Sequence, residues 1–518
     1  MKVGFSSSAM LISCKSKEGL FTINRNDLIP KNNYQLHEEV TQWFDFPYLL
    51  GIYSYKDVDF IIFVDKFDQV DQRVDIFEIR KIKIFQISPG EVKTEIMRML
   101  HDSFSFNNFY FCDSRPLQFN FSAINFFDHS RDVFVWNLKP LIKTQEVFKG
   151  CLNQFTIPVI NGSVAIYNNF CLISRRSNSM CGARFWLRGS DSEGNCANFI
   201  ETESILFEAN HKSANNFKSF IQIRGSIPLH WTEYPNLTFL PQIKVDQKEE
   251  SKQRYHKHIK KIQLLYEKEK SLSIVNLTSK KGREEKLTSL FEQLCLNDQS
   301  ISYVHIDTEQ ICGVLHWEKL ASEIDKNINF DEFSFNEIRN GILIHKQKGI
   351  IRTNCADSID RTNVTQCEIS IHAFKKMKLK NFFENQIREC WYINGNIIAK
   401  QIVGSNALKG EITLYKHRTF VGLLKDAFES IIRFYYDNFL NGYRQDCLDC
   451  LTMNIDVIPA NMKKKQTMEN IWRFFVLFLL MNLYLVLFQI QKFKECKNHL
   501  KEILINKPRL RKIEVIDQ

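Results

Sequence analysis

The chain has 518 residues, 44% of them hydrophobic and 25% charged, with 43 phenylalanines, which supplies apolar material for roughly two to four folded units and excludes a mostly disordered chain. A formal net charge of +10 favours an anionic partner, whether phospholipid, nucleic acid or a phosphorylated substrate. The 14 cysteines are scattered along a long chain, which excludes a small disulfide scaffold and reads as reduced thiols in a cytosolic compartment.

The first twenty residues contain no apolar core of signal-peptide length, so the folded body is expected in the cytosol. Residues 1–150 hold short β-rich runs, YLLGIYSY (48–55), DFIIFVDKF (59–67) and FVWNL (134–138), separated by polar turns. They predict an α/β or mixed unit without catalytic spacing. Residues 151–455 mix strands such as GSVAIYNNFCLISRR (162–176) with helical patterns at HKHIKKIQLLYEKEK (256–270) and FVGLLKDAFESIIRFYYDNFL (420–440). Cys447 and Cys450 form a CxxC with no second pair near it, which reads as two side chains of one amphipathic helix rather than a zinc site. His305, Asp307 and His316 make no metal-ligand pattern.

A basic linker at 456–470 leads into IWRFFVLFLLMNLYLVLFQI (471–490), followed by a basic tail at 491–518. At about 1.5 Å per residue the apolar stretch reaches about 30 Å, the hydrocarbon thickness of a bilayer, and predicts a transmembrane helix. Lysines flank both sides, so a single span competes with a shallow re-entrant helix.

The segment that carries chemistry is KGIIRTNCADSIDRTN (348–363), in which an apolar, strand-like run enters a loop from Cys355 to Arg361 and a helical pattern follows. Five residues between Cys and Arg let the backbone N–H groups of Ala356, Ser358, Ile359 and their neighbours curl into an anion nest at a helix N-terminus, while Arg361 forks onto phosphate oxygens. The same field is expected to lower the Cys355 thiol from about 8.5 into the range of about 3.5–7.5, making it a nucleophile at neutral pH. Asp360 can protonate a leaving alkoxide, with Asp357 as the alternative acid. Asn354, Ser358, Thr362 and Asn363 can tie the loop together by hydrogen bonds.

RTNCADSIDRTN resembles the signature of Sac-domain phosphoinositide phosphatases, Arg-x-Asn-Cys-x-Asp-Cys-Leu-Asp-Arg-Thr-Asn, with Ser358 and Ile359 in place of the second Cys and the Leu. The similarity extends in family order through 175–203, QIRGSIPLHW (222–231), KKGREEKL (280–287), QIVGSNALKG (401–410) and IRFYYDNFLNGYRQD (432–446). The resemblance implies an α/β (α+β mixed) fold, with a β-rich amino-terminal subdomain packed on an α/β catalytic domain that needs neither metal nor cofactor. It implies a phosphoinositide lipid substrate, phosphatidylinositol 4-phosphate by preference, and no nucleic acid. It also implies a membrane anchor of the endoplasmic reticulum and Golgi branch, with the catalytic domain facing the cytosol.

Two positions depart from the family: Ile393 stands where an Asp is usual and Ile402 where a Tyr is usual, which bears on headgroup selectivity. Lys409 and Arg444 are read either as headgroup contacts or as surface charges. Arg188, Asp191, Glu193 and Arg224 are read as scaffold charges closing turns. A protein-tyrosine or dual-specificity phosphatase shares the Cys-x5-Arg logic, but the acids inside the loop and the other blocks argue against it. A catalytically idle lipid-binding or tethering protein of the same fold is the rival from another class.

Overall fold

The computed structural model describes residues 1–453 apart from 6–8, 14–19, 25–26, 33–42, 56–57, 89–90, 92, 124–125, 150–151, 209–214, 246–247, 267–270, 314–315 and 378–383. The linker, apolar segment and tail expected at 456–470, 471–490 and 491–518 lie outside the described residues. Among the described residues no helix is long and apolar enough to cross a membrane. Contacts gather Met1–Val457 into one compact unit.

The organising element is Gly349–Asn354, GIIRTN, every residue of which is buried. A strand buried on both faces belongs inside a sheet with helices on either side, and its neighbours follow that rule. Among the described residues, thirteen strands share this sheet. At one end Ile301–His305, Ser271–Asn276, Gly349–Asn354 and Phe217–Arg224 lie side by side in parallel. Parallel neighbours need crossovers, and the helix Glu285–Leu296 connects two of these strands. Beyond Phe217–Arg224 the pairing turns antiparallel through Ile200–Phe207, Phe170–Arg176, Ile160–Tyr167, Phe109–Cys112, Ile76–Gln86, Val58–Asp71 and Tyr48–Tyr55. Strand pairing crosses residue 150 without interruption, with Ile160 opposite Tyr110 and Asn161 opposite Phe109.

Among the described residues a separate antiparallel sheet of five strands, from Lys2–Phe5 to Trp43–Asp45, packs Val3, Met10 and Ile12 against Leu49, Ile52, Ile61 and Phe63 of the large sheet. The fold is thus a mixed α/β architecture around a large central sheet. The run FVWNL (134–138) is not a strand, in contrast to its composition. Phe134 ends a 3-10 turn, His129–Phe134, and Leu138 opens the helix Leu138–Phe148. A short apolar run reports burial, and Phe134, Val135 and Trp136 are buried; it does not report extension.

Helical expectations at 256–270 and 420–440 correspond to Lys248–Leu265 and to Phe420–Tyr435 continued by a π turn, Tyr436–Leu440. Cys447 and Cys450 sit buried on the helix Asn441–Leu451, and both are free.

Candidate active site

Ligand sites of parallel α/β sheets form at the carboxyl ends of the strands. Here those ends converge on one cavity of about 390 Å³. Ser279, Lys281, Arg283 and Glu284 follow the strand Ser271–Asn276, Thr308 and Glu309 follow Ile301–His305, and Ala356, Asp357, Asp360 and Arg361 follow Gly349–Asn354, whereas Cys355, Ser358 and Ile359 are buried beside the cavity and do not line it. Among the described residues eight Lys and Arg side chains line it against five carboxylates, so the cavity suits an anion.

The loop from Cys355 runs directly into the helix Asp360–Lys376, whose amino-terminal dipole end faces the loop. Ser358 adopts a left-handed φ of 56°, which turns its N–H onto the Cys355 sulfur at 3.1 Å. Thr362 Oγ1 donates to the same sulfur at 3.3 Å. Ser358 Oγ donates to the Gly225 carbonyl at 2.5 Å, which ties the loop to the end of the neighbouring strand. Ile359 is buried among Ile200, Ile398 and Ile402; its side chain anchors the loop to the core and only its backbone faces the loop, where its N–H donates to Asp357.

Asn354 is a brace beneath the loop. It accepts from Arg352 Nη1 at 2.9 Å and donates to Asn276 Oδ1 at 2.7 Å, joining two strand ends. Arg352 also donates to His258 Nε2 at 3.2 Å. Burial, with Arg352 beside it, pushes His258 down to about 3, which keeps its ring a neutral acceptor.

The expected lowering of the Cys355 thiol is not what this arrangement produces. Burial pushes it up, the Asp357 charge adds to that, and Arg361 with the Thr362 hydroxyl pulls the other way without prevailing. The thiol donates to Asp357 Oδ1 at 3.2 Å. Arg361 is itself held by Glu284: Nη1 and Nη2 reach the two Glu284 oxygens at 3.0 and 2.6 Å. Burial works against the charge on Glu284, but Arg361, the Ser279 N–H and Arg283 together hold that carboxyl below its usual range.

Both loop acids are gripped by arginines. Burial opposes the charge on Asp357, yet Arg184, Arg188, Arg361 and Arg433 together hold the carboxyl well below the usual range. Asp360 accepts from Arg433 Nη1 at 2.6 Å and from the Leu408 N–H at 2.7 Å. Lys409 lines the cavity, its ammonium 5.6 Å from the centre of the Trp317 ring, and burial lowers its pKa. Arg444 lies elsewhere: its guanidinium donates to the Lys400 and Gln401 carbonyls and is absent from the cavity lining.

Several residues read as bland, or not read at all, belong to the site. Arg188 lines the cavity and pairs with Glu233 at 3.0 Å. Arg184, Glu284 and Arg433 each lie inside a sequence block already noted, but a block does not tell which side chain turns towards the loop. Asp191 does close a turn, accepting from the Glu193 and Asn195 N–H groups. Ile393 and Ile402 are absent from the lining; both pack into the core, Ile402 against Ile359 under the loop. Asn363, within an Asn-Val-Thr sequon, is buried with its amide donated to the Trp391 carbonyl, and so offers no acceptor for a glycan.

The residues that converge on this cavity define a Cys-loop site at the switch from antiparallel to parallel pairing. Residues 48–313 match the SacI homology domain family. Phosphatidylinositol-3-phosphatase SAC1-B of Danio rerio is 31% identical over 423 residues, covering 74% of this chain and 70% of its own. Phosphoinositide phosphatase SAC7 of Arabidopsis thaliana is 34% identical over 351 residues, covering 61% of this chain and 56% of its own. Phosphatidylinositol-3-phosphatase SAC1 of Saccharomyces cerevisiae is 31% identical over 302 residues, covering 54% and 48%. The chain belongs to the SacI homology domain family.

Proposed function

We propose that the protein is a phosphoinositide phosphatase that removes a monophosphate from the inositol ring, preferentially converting phosphatidylinositol 4-phosphate to phosphatidylinositol at an endoplasmic reticulum or Golgi membrane. The observation that carries this reading is Cys355 at the carboxyl end of a buried parallel strand, with the Ser358 N–H on its sulfur and a cationic cavity at its side. The names of the relatives support the substrate class.

In the reaction, the Cys355 thiolate attacks phosphorus and the bond from phosphorus to the inositol oxygen breaks. Asp360 gives the departing oxygen a proton. Water then adds to the phosphocysteine, the phosphorus–sulfur bond breaks, and inorganic phosphate leaves. The loop N–H groups and Arg361 stabilise the equatorial oxygens in both steps. Lys409, Arg184 and Arg188 meet the remaining negative charge of the headgroup. Asp357 is the alternative acid, and its four arginine neighbours hold it in the charged form. Phosphate release from a panel of phosphoinositides by the full-length protein tests the assignment. Release from none of them, with binding retained, establishes the second reading, an idle lipid-binding protein, which the capture of Arg361 by Glu284 favours.

Asp360→Asn is expected to lower turnover by about 10²–10⁴ on a lipid, whose alkoxide needs a proton, and far less on an aryl phosphate. Equal losses on both substrates would move the acid role away from Asp360. Ser358→Cys exchanges the hydroxyl donor to Gly225 for a weaker one. With a hydrogen bond worth about 1 kcal/mol, kcat is expected to change by less than about fivefold. A larger loss in steady-state turnover would give Ser358 more than a bracing role.

A further inference from the structure

The guanidinium of Arg224 stands out among the buried charges. Arg224 is 0% exposed, and among the described residues its Nε, Nη1 and Nη2 all lack a hydrogen-bond partner. Every other cation named above around the loop has a carboxylate, a carbonyl or a ring beside it. A buried, unsatisfied charge is costly to keep, so a chain that keeps one is expected to use it.

Its place in the sheet says what it faces. Arg224 ends the strand Phe217–Arg224 and lies in register with Thr353, two residues before Cys355, on the parallel neighbour. Gln222, on the same face two residues earlier, donates to Ser370 Oγ and to the Gln366 carbonyl of the helix Asp360–Lys376. That face therefore looks towards the helix that carries the loop. Thr353 Oγ1 is likewise buried and without a partner among the described residues. On the other side Arg224 is opposite Ile200, which packs with Ile359 and Ile402. With apolar contacts there, the titratable groups that act on Arg224 are Cys355 and Asp360.

We propose that Arg224 is a positioning residue for the reaction at Cys355, a fixed cation behind the nucleophile that favours the thiolate and the phosphocysteine while Arg361 is engaged by Glu284. The proposal rests on Cys355 being the nucleophile. Burial lowers Arg224 to about 10, which leaves it charged at neutral pH. Around Cys355 the other charged groups are Asp357, which opposes the thiolate, and Arg361, which supports it. Arg224 adds to the second side.

A structural role and this one predict opposite outcomes. A side chain without partners holds nothing together, so Arg224→Met is expected to leave the melting midpoint unchanged or raise it. Removing the cation raises the thiol pKa, so the acid limb of kcat/KM against pH moves to higher pH by about one unit, with about a tenfold loss at neutral pH. Arg224→Lys keeps a charge there and restores most of the limb.

The experiment measures kcat/KM across pH for full-length wild type, Arg224→Met, Arg224→Lys and Cys355→Ser on a water-soluble, short-chain phosphatidylinositol 4-phosphate, together with melting midpoints. Turnover retained in Cys355→Ser overturns the nucleophile assignment and the role of Arg224 with it. An inactive Cys355→Ser beside an unmoved acid limb in Arg224→Met overturns the role of Arg224 alone. Should Arg224→Met fail to fold, an acid limb in Arg224→Lys matching wild type, with a normal midpoint, supports the proposal, and a lowered midpoint with an unmoved limb overturns it.

Discussion

Cys355→Ser is expected to abolish phosphate release, by more than about a thousandfold, while binding to vesicles containing phosphatidylinositol 4-phosphate persists. A serine hydroxyl does not ionise near neutral pH, so the attacking atom is lost. The groups that would meet the headgroup stay where they are, because Ser358, Thr362 and Arg361 are each held by more than the sulfur: Ser358 by Gly225, Thr362 by its helix and Arg361 by Glu284. The resting site adds a sign to the pH profile. Burial and Asp357 raise the thiol, so the thiolate fraction, and with it kcat/KM, increases as pH rises through the raised value. A headgroup phosphate that draws Arg361 from Glu284 would bring a positive charge back towards the sulfur and lower that value in the complex. The measurement is steady-state release beside vesicle sedimentation for both proteins; turnover in the variant would end the covalent mechanism.

How much of this was legible beforehand depends on the kind of information each residue carries. The signature strand, loop and helix were readable because GIIRTN is an unbroken buried run and the polar loop that follows precedes a helical pattern. The hairpin Ile160–Arg176 was readable for a similar reason, since two apolar runs flank Asn168 and Asn169. The ion pairs that govern the site were not. Arg361 and Glu284 are 77 residues apart and Asp360 and Arg433 are 73 apart, and nothing local in either segment names its partner. A motif specifies which groups are available for a loop, whereas the packing of distant segments decides which of them are already occupied. Hence Arg361 could be read as a clamp but not as one held by Glu284, and Arg224 could be read as a turn-closing charge though it closes nothing. Arg444 was misplaced for the same reason, because its carbonyl partners belong to the helix Glu384–Val403.

The largest expected effect on stability lies away from the cavity, at Glu201. Strands Phe170–Arg176 and Ile200–Phe207 bring Arg175 opposite Glu201, and Arg131 reaches in from a turn outside the sheet. Arg131 grips both Glu201 oxygens, at 2.8 and 2.6 Å, Arg175 adds a contact at 3.2 Å, and the Tyr266 hydroxyl donates at 2.6 Å. Arg175 passes on to Glu203 at 2.9 Å and to the Leu117 and Phe119 carbonyls, so the network fastens residues 117–121 across the sheet. Both arginines are almost wholly buried, at 4% and 0% exposure. Glu201→Ala therefore leaves two buried guanidinium groups short of their counter-charge, and removal of one partner from such a pair costs about 3–5 kcal/mol. Burial opposes the Glu201 charge, but Arg131, Arg175 and the Tyr266 hydroxyl together lower its pKa in the fold. The contribution is thus fully present above the unfolded carboxylate value of about 4.3 and is lost as pH falls through the depressed folded value. Denaturant midpoints of wild type and Glu201→Ala should differ most near neutral pH and converge on acidification. A gap that is small at neutral pH, or that widens in acid, would show that the network is not what holds residues 117–121 to the sheet.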